Sequence, residues 1–447
     1  MTETGGPTRV RTIRDAIGPG LLFAGAAIGV SHLVQSTQAG ALYGLLLIPV
    51  IFLAHGLKLP GMLAGPRYAA ATGRTLIEAY TRQGRHAIIA FALVTAGTMF
   101  IIQAAVTMVC GAIVNGALIA PVFGQPVPTW LATAGVMGLC AGVLALGGFA
   151  WLDRVIKGLM LVMLIATLAA GVSVLPSLTL DGAFALPGSN ADRLKLLVFA
   201  VILFGWMPAP LDIAVWNSIW TLERERQTSS TPSRRACEID FFIGYAMCVV
   251  LAMAFMLLGE VLMRQKAVAP ASTGPAIAVQ VINLYTGAIG EWVRPVISAC
   301  AIAVMLSTCL TVQDALARTV VLTMRSLPGR RSATSREHPA SAGSVRTTST
   351  VATNPRAYWL AAGVIGAGAM GLVFYATASG AGFRRLIDVA MILSFLSAPV
   401  LAWFNHRAMR EPDIPEEFRE GRAWRAASWA CLAGLTLFAA VFVWTQI

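Results

Sequence analysis

The chain has 447 residues, 57% of them hydrophobic and only 12% charged, with a mean hydropathy of +0.72. Soluble domains carry about 25% charged residues, so the composition excludes an ordinary cytosolic enzyme and any disordered or fibrous class. The net charge of +12 fits basic cytoplasmic loops better than a nucleic-acid partner.

Residues 1–16 form a polar tail with Arg9, Arg11 and Arg14. No small-residue cleavage site follows it, so the next apolar run reads as a first span rather than a removed signal peptide. Apolar windows then predict about eleven transmembrane helices, at 17–41, 44–65, 87–118, 129–150, 155–176, 195–220, 241–262, 293–317, 357–378, 386–408 and 423–445. A core of ten spans occupies 17–408, and residues 409–447 supply a connector and an eleventh span. Residues 325–356 are rich in Ser, Thr, Ala and Arg without apolar periodicity, and read as a flexible cytoplasmic loop. With the N-terminus inside, 25 of the 33 Lys and Arg residues fall on the inner side and seven outside, with Lys58 within a span. That skew predicts a bacterial inner (plasma) membrane protein with a cytoplasmic N-terminus. The seven cysteines have neither disulfide nor zinc spacing.

Two spans are interrupted. The first carries Ile28-Gly29-Val30-Ser31-His32 in mid-run, and the sixth carries Gly205-Trp206-Met207-Pro208-Ala209-Pro210. Proline removes an amide donor and its ring clashes with the carbonyl four residues back, so Ser31, Pro208 and Pro210 mark helix breaks. Breaks five spans apart fit a five-plus-five inverted repeat, with substrate bound at the interruptions. Gln35 and Gln38 follow the first break and either line the outer path or bond between helices. Asp212 either faces the path or pairs with backbone, His55 or Lys58. Lys58 is expected to snorkel to the cytoplasmic interface, Asp314 to pair with Arg318, and Glu260 to be solvated at the outer end of the seventh span.

These landmarks resemble the Nramp divalent-metal transporter family. The resemblance rests on Gly18-Pro19-Gly20 followed by Gln38-Ala39-Gly40, on the run from Ala71 to Ala79, on Met207-Pro208, and on the run from Leu310 to Arg318. It implies an all-α, LeuT-like fold of the APC superfamily, with the first and sixth spans unwound around a central site. The chain departs from the family where metal is held. The family's Asp-Pro-Gly-Asn stands here as Gly29, Val30, Ser31 and His32, and its Met-Pro-His as Met207-Pro208-Ala209. The resemblance then implies a softer site of Met207 sulfur, His32 nitrogen and the carbonyls of Phe204 and Gly29, with Met391 at the tenth-span ligand position. The acids of the family's third span and the arginine of its ninth are missing, so proton coupling is expected to be weak or absent. No catalytic constellation and no cofactor motif emerge, so no enzyme is expected, and a metal ion would enter only as cargo. Partners are the lipid bilayer and the transported cation or solute, with no nucleic acid and an undefined oligomeric state. The function expected is a secondary transporter of divalent metal cations with altered ion selectivity; the alternatives are a transporter of a small organic solute on the same fold and a non-transporting membrane sensor.

Overall fold

A computed structural model describes residues 18–146, 149–228, 231–271, 273–327, 354–378 and 382–445. The tail 1–16 and most of the 325–356 loop lie outside the described residues. The rest is helical, as expected: α1 (Pro19–Ala27), α2 (Ser31–Tyr43), α3 (Ile48–Thr72), α4 (Leu76–Arg82), α5 (Arg85–Phe123), α6 (Thr129–Ala145), α7 (Phe149–Val174), α8 (Asn190–Trp206), α9 (Ile213–Thr228), α10 (Arg234–Gly259), α11 (Gly274–Ile289), α12 (Arg294–Ser326), α13 (Pro355–Ala378), α14 (Gly382–Ala408) and α15 (Arg422–Thr445).

Among the described residues, eight helices are long and apolar enough to cross a membrane, nine when α1 and α2 count as one span bent by 50°. The other two expected spans are also helical. The fourth is α6, 17 residues long, and the sixth is split into α8 and α9. Large apolar side chains point outward on several helices, including Leu93, Leu146, Val172 and Leu360. Lipid accepts such a surface, and water does not. Two short helices were not expected. α4 begins at a capping box, in which Thr75 and Glu78 bond each other's backbone amides. α11 is a 16-residue amphipathic helix between the seventh and eighth spans.

The broken first span is held by α10, which packs along both of its halves. Both Asp240 oxygens accept from amides at the start of α1, Gly18 at 2.9 Å and Gly20 at 2.6 Å. These donors have no partner within their own helix, and the carboxylate satisfies them and opposes the helix dipole. Gly20 and Gly244 make the approach possible, because a Cβ on Gly244 would stand 2.1 Å from the Gly20 carbonyl oxygen. Small residues at such crossings are the usual means of packing helices in lipid.

One expectation near the outer end of α10 fails. Glu260 is fully buried rather than solvated, and Arg264 bonds its carboxylate at 3.0 Å. The Asp314–Arg318 pair forms as expected, at 2.8 Å, and the Tyr358 hydroxyl donates to the same carboxylate.

Candidate functional site

Both breaks border one small cavity. Its volume is about 30 Å³, and its walls include Ala27, Val30, Ser31, Trp206, Ala209 and Thr308. That is room for about one water molecule, so the breaks close on each other in this conformation. The lining is apolar and aromatic, with two hydroxyls and no carboxylate.

The sixth-span break follows directly from its prolines. α8 stops at Trp206 and α9 starts at Ile213. In a continuous helix the Phe204 carbonyl would accept from the amide of residue 208, but Pro208 has none. The Gly205 carbonyl loses its partner because the helix has already ended. Phe204 keeps only a 3.3 Å bond from the Met207 amide, and both carbonyls bond the same side chain. Lys58, from the middle of α3, places Nζ at 2.6 Å from the Phe204 oxygen, 2.8 Å from Gly205 and 3.1 Å from Ala209. Nζ also lies 5.0 Å from the centre of the Phe204 ring, a cation–π contact. Lys58 is fully buried. Three accepting carbonyls need three N–H donors, which only the ammonium form supplies. The expectation that Lys58 snorkels is therefore wrong: the freed carbonyls and the negative end of the α8 dipole hold the charge inside.

The first-span break uses hydroxyls for the same purpose. Ile28 ends α1, and Thr308 from α12 lies within hydrogen-bond reach of the carbonyls of Gly25 at 2.9 Å, Val304 at 3.1 Å and Ile28 at 3.4 Å. A Cβ on Gly29 would stand 3.1 Å from the Thr308 hydroxyl oxygen, so this close seat suits glycine.

Of the residues singled out from the sequence, Ser31 and Pro210 line this cavity, and the others are absent from its walls. His32 is fully buried, with Nε2 at 3.1 Å from the Cys248 carbonyl of α10 and Nδ1 at 2.9 Å from the Ser31 hydroxyl. A carbonyl only accepts, so Nε2 carries the proton, while the single Ser31 hydroxyl proton is shared between Nδ1 and the Ala27 carbonyl, which lies at 3.2 Å. Met207 is fully buried at the end of α8 and does not line the cavity. Met391 is also buried away from it, with its backbone against Gly205, where a Cβ would stand 2.1 Å from the Met391 oxygen. Gln35 and Gln38 are buried on α2 with their side-chain carbonyl oxygens unpartnered. Asp212 is buried just before α9, and one of its carboxylate oxygens lacks a partner. Among the described residues, no three His, Cys, Asp or Glu side chains gather as a metal cluster.

Sequence reasoning missed Trp206 and Trp216 as cavity walls. The Trp206 indole donates to Ser394 of α14 at 2.8 Å, which fixes the ring beside the break. Proximity to the Met-Pro landmark was the available signal. For Trp216, on α9, there was none short of the fold.

Comparison with known proteins agrees with this architecture. No family model matches the sequence. Crystal structures of the Eremococcus coleocola manganese transporter align at a TM-score of 0.67 and 14% identity, covering 99% of this chain and 90% of that one. MhsT in complex with L-phenylalanine aligns at 0.62 and 13% identity, covering 97% and 100%. Mhp1, a nucleobase-cation-symport-1 family transporter with bromovinylhydantoin bound, aligns at 0.52 and 14%, covering 99% and 95%. The fold is thus the LeuT-like one, shared by proteins of different cargo, and the resemblance to Nramp transporters holds at the level of the fold. In sequence, Uncharacterized protein PM0681 of Pasteurella multocida is 33% identical over 394 residues, 87% of this chain and 84% of its own length. Identity of that extent places the chain in one family with the Pasteurella multocida protein.

Proposed function

We propose that this chain is a secondary transporter of the inner membrane, moving a small organic solute without net charge rather than a divalent metal cation. The observation that carries the reading is the Lys58 ammonium on the Phe204 and Gly205 carbonyls. A divalent cation coordinated by the Phe204 oxygen would lie within a few ångströms of a fixed positive charge. At about 4 Å, a divalent and a monovalent charge repel by several kcal/mol at an effective dielectric constant near 20. The engagement of His32 Nε2 with the Cys248 carbonyl and the absence of Met207 from the cavity walls support the same conclusion.

The lining then suggests the cargo class. Alanine, valine and two tryptophans favour an apolar or aromatic body, while the Ser31 and Thr308 hydroxyls can orient one polar group. The cavity must open to admit any such molecule, which the bent first span and the split sixth span are built to allow. The third-span run 87–118 has no acid and the ninth-span run 357–378 no arginine, and this supports transport without a proton relay of the Nramp kind.

Proteoliposomes offer the test. Vesicles containing the purified protein are exposed to a mixture of amino acids, nucleobases and other small metabolites together with Mn²⁺. Retained solutes are read by mass spectrometry and the metal by an internal dye. The expected result is enrichment of one organic class over empty vesicles, with Trp206→Ala lowering it at least tenfold and no Mn²⁺ signal. Mn²⁺ accumulation without any organic enrichment would overturn the proposal.

A further inference from the structure

The Lys58 contacts carry a second conclusion that does not depend on which cargo moves. Three backbone carbonyls from one broken helix, those of Phe204, Gly205 and Ala209, converge on a single point. The Phe204 ring face adds a fourth electron-rich surface, and the α8 dipole ends there. Such an arrangement, oxygens replacing a hydration shell, is what a small monovalent cation requires. The point is filled from within the chain.

We propose that the break of the sixth span contains a monovalent-cation site occupied permanently by the Lys58 ammonium. This tethered charge would hold the two half-helices together without a diffusible ion. The reach is set by the side chain: Lys58 sits on α3, and α3 packs against both α8 and α9. Its charge is therefore tied to a neighbouring element, while the carbonyls belong to the broken one.

The prediction is that a vacated site accepts a cation of matching size. Lys58→Ala removes the atoms of n-propylammonium beyond Cβ. The purified variant should melt several degrees below the wild type. Added n-propylammonium should restore much of that loss, whereas n-propanol and choline chloride at equal concentration should not. The wild type should not respond. A shift identical with n-propanol, absence of any shift, or Lys58→Met melting with the wild type would each overturn the proposal.

A second measurement needs no variant. The chain has only four lysines, Lys58, Lys157, Lys195 and Lys266, so ¹⁵N-lysine labelling yields a readable side-chain spectrum. Lys58 Nζ should appear at neutral pH as an ammonium whose protons exchange slowly with water. A neutral amine, or an ammonium exchanging as fast as the other three, contradicts a filled site, whether or not Lys58→Ala folds.

Discussion

At the scale of single residues, the unusual positions are those where a backbone group has lost its helical partner and a side chain from elsewhere replaces it. Lys58 serves the end of α8, Thr308 the end of α1, and Asp240 its beginning. Truncating such a partner leaves buried polar groups bare, which costs about 1–3 kcal/mol each. Asp240→Ala is expected to lower the melting temperature of the purified protein by several degrees, whereas a change at the exposed Arg193 is expected to leave it unaltered. Equal melting of Asp240→Ala and wild type would remove Asp240 from this role. Sequence reasoning located Pro208 and Pro210 because a proline acts on its own helix, where its consequence is local. It misread Lys58 because the partner carbonyls lie 146 to 151 residues away. The His32 contact was hidden for the same reason, since the Cys248 carbonyl that its Nε2 meets is 216 residues distant.

Between elements, two contacts set how the helices sit. The first is the crossing of α1 on α10 at Gly20 and Gly244. Gly244→Ala should force the helices apart and destabilise by about 1–3 kcal/mol, seen as lower yield of folded protein and earlier melting. Gly244→Ala melting with the wild type would mean that the contact gives easily. The second is the connector after α14, whose Asp413 bonds Arg74 at 2.9 Å and Arg82 at 2.7 Å. The hydrogen bond from Arg74, with the charges of both arginines, holds the Asp413 carboxyl below its ordinary value of 3.8. A carboxylate lowered on folding stabilises the folded form above its unfolded value and loses this as pH falls through the folded one. The connector should therefore stay protected from hydrogen exchange at neutral pH and loosen only below about pH 4, by an effect that added salt weakens. Loosening already between pH 6 and 8 would show that another group controls it. Span-length apolar runs made most of the long helices readable from sequence. The helices α4 and α11 escaped because they are 7 and 16 residues long, too short for a window tuned to a bilayer.

For the molecule as a whole, the pair of interrupted spans carried the fold, and the frame agrees with structures whose sequences are only 13–14% identical. Cargo was far less legible. A list of ligand types at Gly29, His32, Phe204 and Met207 resembles a soft metal site, but ligation depends on where lone pairs point, and here the Phe204 carbonyl faces the Lys58 donor while His32 Nε2 is turned to the Cys248 carbonyl. The low charge content noted at the outset has its counterpart in a cavity without a carboxylate wall. The positive charge of Lys58 stands beside the sixth-span break, and the proposed reading has cargo selected by shape and apolar contact. The most direct test of that claim is calorimetric titration of the purified wild type with Mn²⁺ and Cd²⁺, the second being soft enough to favour thioether sulfur. Neither ion is expected to give saturable heat. A stoichiometric isotherm with either ion, abolished in Met207→Ala, would contradict it.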